Sequence, residues 1–239
     1  MSRLVLVFSR APGREARSKG FSSSGAGVFA AFVAGWQVAA RSTGARFFVA
    51  TPPEDVAGWR ESAPRLEDVR WITQRGDTFG QRLEDAVRGV SGHEEQVVVV
   101  GGDVPPSAES LAEAFVALES GSEAVLIPAP DGGVSLLSLS WRDLDLLGGI
   151  RLRQGDVFAS LRAALDARGR RVTVLPEAPD LDSRRVLRKL IRDRGLAMRI
   201  PLSVARQGLA PCAIFRRIDA PLRAGPARAT RVPRAPPAA

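Results

Sequence analysis

Four carboxylates stand where an α/β chain does its chemistry. Asp103 follows the valine run of residues 96–100, Asp131 follows the apolar segment 124–128, and Asp180 and Asp182 follow residues 171–175. Each run reads as a buried strand, and in an open parallel sheet ligands bind at the carboxyl ends of the strands. Carboxylates gathered on one edge suit a hard, oxygen-seeking cation such as Mg²⁺ or Mn²⁺. The chain offers soft or nitrogen ligands only at Cys212 and His93, too few for a zinc site. A divalent ion so placed bridges diphosphate oxygens and neutralises charge on a leaving group.

The basic complement lies between the first strand and the first long helix. Arg10, Arg14, Arg17 and Lys19, interleaved with Gly13, Ser18 and Gly20, form a cationic segment able to wrap a phosphate chain. On spacing alone, a solvated surface loop has the same composition. Arg82 sits one turn into a helix after the turn of residues 74–78. A helix N-terminus with an arginine serves equally as an anion site or as a structural corner.

These residues need a scaffold, and the hydrophobic pattern supplies one. Residues 4–8, 46–50, 69–73, 96–100, 124–128, 133–139 and 171–175 read as strands, four consecutive valines making 96–100 the clearest. Helices are expected over 28–41, 53–62, 78–90, 107–119, 155–167 and 182–193, with Thr78, Ser107 and Asp182 as N-caps. Residues 9–27 read as a long polar loop. Strands alternating with helices predict an α/β fold with a mainly parallel sheet covered on both faces. Trp36, Trp59, Trp71 and Trp141 are expected to pack.

The +8 charge looks like a nucleic-acid signature until it is located. Removing the eight arginines and one acid of residues 196–239 from 34 bases and 26 acids leaves 26 and 25 in residues 1–195. The body is nearly neutral, so nucleic acid is not expected as a partner except through the basic tail. Residues 1–200 are expected to form the domain. Residues 201–239, rich in Pro, Ala and Arg, are expected to be a largely disordered basic tail. No apolar run spans a membrane, residues 4–8 are too short for a signal-peptide core, and the expected location is the cytoplasm. The string Gly25-Ala26-Gly27-Val28-Phe29-Ala30 fits a dinucleotide fingerprint, but sixteen residues separate it from Phe8, where the fingerprint must follow its strand directly.

Ordered motifs carry a resemblance. Phe8-Ser9-Arg10-Ala11-Pro12-Gly13, the block Gln74-Arg75-Gly76-Asp77-Thr78-Phe79-Gly80-Gln81-Arg82-Leu83, Gly101-Gly102-Asp103-Val104-Pro105, Pro128-Ala129-Pro130-Asp131-Gly132-Gly133 and Asp180-Leu181-Asp182-Ser183 occur in that order. Over residues 3–195 the chain resembles DUF2064, a bacterial family of GT-A-like glycosyltransferases related to the nucleotide-diphospho-sugar transferases. The resemblance implies a three-layer α/β/α sandwich of the GT-A type. It implies a glycosyltransferase that binds a nucleotide-diphospho-sugar through a divalent cation and transfers the sugar to an acceptor. On it, Asp103 and Asp182 hold the cation, Arg10, Arg17, Ser18, Lys19, Gln74 and Arg82 hold the nucleotide phosphates, Asp131 acts with Asp103 in catalysis, and Gly132 and Gly133 line the substrate pocket.

The chain departs from the family at ligand-facing places. Gly102 stands where the family has Ser, Val134 where it has Tyr, and Arg17-Ser18-Lys19 where it has Lys-Thr-Arg. Arg151-Leu152-Arg153 replaces Trp-Ser-Thr. Two alternatives therefore remain beside sugar transfer: a nucleotidyltransferase using a nucleoside triphosphate, or a degenerate member that binds nucleotide or protein without turnover.

Overall fold

In the computed structural model the described residues are 2–21, 25–63, 66, 69–92, 95–149, 156–183 and 185–187. Its strands are β1 (Arg3–Phe8), β2 (Arg46–Thr51), β3 (Arg70–Thr73), β4 (Gln96–Gly101), β5 (Ala124–Pro128), β6 (Val134–Leu139) and β7 (Val172–Val174). They form one sheet in the order β3-β2-β1-β4-β6-β5-β7. The helices are α1 (Pro12–Ser18), α2 (Ala26–Ser42), α3 (Val56–Ser62), α4 (Phe79–Val90), α5 (Ala108–Glu119), α6 (Asp145–Gly149) and α7 (Val157–Ala167).

β1 lies inside the sheet, parallel to β2 on one side and to β4 on the other, with Phe8 opposite Ala50 and Gly101. Leu4 to Val7 are fully buried, because the sheet is covered twice. Val5, Val7, Val98 and Val100 pack under α2 and α5 against Trp36 and Phe115. Leu4, Leu6, Val97 and Val99 pack on the other face against Leu83 of α4, Leu147 of α6 and Leu161 of α7. Burying each such side chain stabilises the fold by about 1.5–3 kcal/mol. A strand buried on both faces needs no polar alternation, which is why these segments read as unbroken apolar runs.

The sheet is mainly parallel, as expected, with one exception. β6 runs antiparallel to both β4 and β5. Only residues 129–133 join β5 to β6. A parallel return needs a crossover of a dozen or more residues, so so short a link forces a hairpin.

Three expectations are corrected. The loop expected over residues 9–27 contains α1, which begins with Pro at its first position. Its N-cap, Ala11, has no capping side chain of its own. Instead the Asp55 carboxylate accepts the Ala11 N–H at 3.0 Å, a cap delivered from 44 residues away. The helix expected over 53–62 opens with a 3₁₀ turn, Pro53–Asp55, before α3. At the late charged helix, Ser183 rather than Asp182 caps the first turn, its Oγ accepting the Val186 N–H at 3.3 Å. Of that helix, residues 185–187 are described and helical; the rest falls outside the described residues, as do His93, Arg151–Arg153, Cys212 and the whole tail. Thr78 caps α4 as expected, in a capping box with Gln81, and Ser107 caps α5. Trp36 and Trp59 are buried, whereas Trp71 is 44% exposed on the edge strand β3. No described helix is long and apolar enough to cross a membrane.

Candidate functional site

A cleft of about 830 Å³ opens along the carboxyl ends of β1 to β4. One wall is made by Arg10, Arg14 and Lys19 after β1, Pro52 to Glu54 after β2, and Gln74 and Arg82 after β3. Asp103 lies at its centre, beyond the end of β4. Asp131, Gly133, Val157, Asp180 and Asp182 line it as well.

Asp103, Asp180 and Asp182 each bring a carboxylate oxygen within 4.8 Å of the others. Lys19 reaches into the same place from the C-terminal end of α1. Its Nζ donates to Asp103 Oδ2 at 2.6 Å and to Asp182 Oδ1. Burial disfavours the Lys19 charge, but the two carboxylates more than offset it and hold the ammonium above its ordinary range. Burial, followed by the charges of Asp182, Asp103 and Asp131, raises the Asp180 carboxyl to about 7; Lys19 opposes the rise.

The trio is assembled by a residue without chemistry. Leu181, between the two acids, is fully buried in a small cluster with Phe21, Phe29 and Phe32. Its N–H donates to the Asp103 carbonyl at 2.8 Å. A buried leucine and one backbone bond thus pin the flanking carboxylates beside Asp103.

The basic residues of the cleft are held in a similar way. Asp55, 5% exposed, fixes the start of α1 through Ala11 and also accepts from Arg14 at 3.1 Å. Arg10 donates to Glu15 at 2.9 Å. Burial, and then the charge of Asp103, raises the Glu15 carboxyl above its ordinary range, against the pull of Arg10 and Lys19. Arg82 makes no hydrogen bond or ion pair through its guanidinium among the described residues, though the Glu54 carboxylate feels its charge. It lines the cleft from the first turn of α4.

Asp131 is exposed at the cleft, its Oδ1 accepting the Gly133 N–H at 2.8 Å in a tight turn. Gly132 has φ +85° and crowds the backbone of Asp156, so a side chain there is excluded twice over. Gln74 is buried; its side-chain amide donates to the Ala50 carbonyl at 2.9 Å and ties the end of β3 to β2.

The fold therefore brings Asp103, Asp131, Asp182, Arg10, Lys19, Gln74, Arg82 and Gly133 to one cleft. It does not bring Arg17 and Ser18 there. Both are exposed on α1, and the Ser18 hydroxyl bonds back to the Glu15 carbonyl at 2.8 Å. A helical turn directs side chains one and two residues apart to different faces, so only Lys19 of that group can reach Asp103. Gly132 lies in the turn and not on the cleft surface. Sequence reasoning missed Glu15, Asp55 and Leu181. Asp55 had a signal, a carboxylate just past the end of a strand; Glu15 and Leu181 had none.

Residues 33–154 match the family of uncharacterized proteins conserved in bacteria, DUF2064. The chain belongs to this family. Among curated proteins none matches. A protein of Desulfovibrio desulfuricans G20, assigned as a nucleotide-diphospho-sugar transferase, has a similar solved structure: TM-score 0.71, 22% identity, with 90% of this chain and 98% of that one covered. The inositol-1-phosphate CTP transferase of T. maritima gives a TM-score of 0.56 at 10% identity, covering 87% and 98%. The 4-diphosphocytidyl-2C-methyl-D-erythritol synthase of Anaerococcus prevotii gives 0.54 at 12%, covering 78% and 94%. The DUF2064 chain thus has the α/β fold of the nucleotide-diphospho-sugar transferases and cytidylyltransferases.

Proposed function

We propose that this DUF2064 protein is a transferase that binds a nucleotide-diphospho-sugar in the cleft and transfers the sugar to an acceptor. One observation carries the reading: a trio of carboxylates and a set of cationic side chains line a single cleft at the carboxyl edge of the sheet. A divalent Mg²⁺ or Mn²⁺ fits this place, because the donors are hard carboxylate oxygens and an ammonium already stands in among them as a cation. Asp103 and Asp182, joined by Asp180, are the residues to hold it. When bound, such an ion neutralises the phosphate oxygens of the leaving group.

The protein's own residues do the rest. Arg82 binds the phosphates with charge-assisted hydrogen bonds, while Arg10, tied to Glu15, and Arg14, tied to Glu54 and Asp55, add positive charge beside them. Asp131, in the same cleft, orients the acceptor hydroxyl and takes up its proton. Such a displacement is driven by positioning of donor and acceptor.

A second reading has its own support. Two of the similar structures are a CTP transferase and a diphosphocytidyl synthase, and the same carboxylates serve a nucleoside triphosphate reacting with a sugar phosphate. One assay separates the two. Nucleoside diphosphate released from a panel of nucleotide-sugars supports sugar transfer; pyrophosphate released from a nucleoside triphosphate with sugar phosphates supports nucleotidyl transfer. Either activity should vanish in Asp103→Ala. Turnover by neither route leaves only the binding role.

A further inference from the structure

Among the bases of the cationic segment, Lys19 alone turns away from solvent into the acid trio. Its side chain is 16% exposed. Its N–H bonds to the Glu15 and Ala16 carbonyls, closing α1, and the start of α1 is held by Asp55. The ammonium therefore has a rigid base and a short reach. It ends at 2.6 Å from Asp103 Oδ2, bonded also to Asp182 Oδ1, two of the three carboxylates that the cation reading requires. An ammonium and a divalent ion cannot share those oxygens, since two cations at contact distance repel strongly wherever water is largely excluded.

Resting on the reading of the cleft as a cation-assisted nucleotide site, we propose that Lys19 is a built-in competitor for the divalent cation. Its ammonium neutralises the trio in the empty cleft and leaves it only when a phosphate group is there to receive it. The four-carbon stem of a lysine allows the change by rotation about its own bonds, and Arg10 and Arg14 line the same side of the cleft, where phosphate arrives. The cleft is then weak for metal alone and weak for phosphate alone, and strong for the two together. A ligand that needs a minor state binds with an affinity reduced by the population of that state, and the first partner removes this handicap for the second. A site of this kind discriminates for metal-bound diphosphates against free metal, free phosphate and uncharged sugars.

The test is a titration of Mn²⁺ alone, with free Mn²⁺ read by electron paramagnetic resonance, on wild type, Lys19→Met and Lys19→Gln. Without the competitor, Mn²⁺ alone should bind about tenfold tighter or more than to wild type, and a further Asp103→Asn change should abolish the gain. Lys19→Gln guards against loss of fold in Lys19→Met, since it keeps a hydrogen-bond donor to the trio. Its thermal midpoint should rise at Mn²⁺ concentrations that leave wild type unmoved. Equal or weaker Mn²⁺ binding in both variants overturns the competitor role. If wild type then still binds a nucleoside diphosphate with Mn²⁺, the nucleotide site stands and only the role of Lys19 falls. If no protein binds Mn²⁺ with or without nucleotide, both readings fall.

Discussion

Lys19 and Asp103 are 84 residues apart in the chain and 2.6 Å apart in the cleft. The meeting follows from the sheet. Phe8 and Gly101 are paired residues at the ends of adjacent parallel strands, so the segments after β1 and β4 leave the sheet side by side. Whatever follows one strand must face whatever follows the other, which puts the first basic helix against the central acid.

Among the described residues no hydrogen bond or ion pair is made by the guanidinium of Arg82, which lines the cleft near Glu54. Arg82→Ala should weaken nucleotide binding by about 2 kcal/mol, roughly thirtyfold, the size of one charge-assisted hydrogen bond. Thermal stability should be unchanged. Arg10→Ala should act the other way, lowering stability more than affinity, because it strands the buried Glu15. Calorimetric affinity beside a melting curve separates the two effects.

The Asp180 carboxyl is raised to about 7 in the folded protein, above an ordinary carboxylate near 4. Between those values the folded state holds a proton that the unfolded state has lost. The stability this confers is present at low pH and is lost as pH rises through 7. Asp180→Asn removes the titrating group, so its stability should fall less than that of wild type between pH 5 and pH 8. Glu15 shifts in the same direction, so some slope should remain. Denaturant midpoints across that range read the difference, and equal slopes would contradict the placement of Asp180 beside its like charges.

The backbone at Gly102 leaves no room for a side chain. A Cβ there would fall inside the Ser9 hydroxyl, which turns back to its neighbour's carbonyl, that of Arg10, at 2.8 Å. Gly102→Ser should destabilise the protein by about 1–3 kcal/mol, the usual cost of overpacking. Ser9→Gly in the same chain should recover most of it. A double-mutant cycle in denaturant measures the coupling, and additive losses would show that the two positions do not compete for space.

Asp55 fixes the base from which Lys19 reaches the trio. Asp55→Ala leaves the Ala11 N–H buried without its acceptor and should cost about 1–3 kcal/mol. The loss should be local, so amide hydrogen exchange should speed up in α1 more than in β1 or β4.

What the sequence disclosed and what it hid divide along a physical line. β1 and β4 were legible because burial on both faces leaves unbroken apolar runs. Thr78 and Ser107 were legible because a cap is satisfied within three residues. The place of Asp103 followed from the strand before it. α1 was hidden because its cap comes from Asp55. The turning of β6 was hidden although the link from β5 is too short for anything else, since an apolar strand carries no mark of direction. The pairing of Lys19 with Asp182 spans 163 residues and depends on Leu181 docking among three phenylalanines. Nothing near either residue in the chain announces it. Arg17 and Ser18 were drawn into the site by proximity to Lys19, and helical geometry then turned them away.

On the function proposed above, the cleft over Asp103 is a metal-assisted nucleotide diphosphate site. Its most direct test is calorimetry of UDP, GDP and CDP titrated into the protein with and without Mn²⁺, repeated on Asp103→Asn. At least one nucleotide should bind in the presence of Mn²⁺, much more weakly without it, and not measurably to the variant. Binding of the same strength to Asp103→Asn, or no binding of any nucleotide with Mn²⁺ to a folded wild type, would contradict the account.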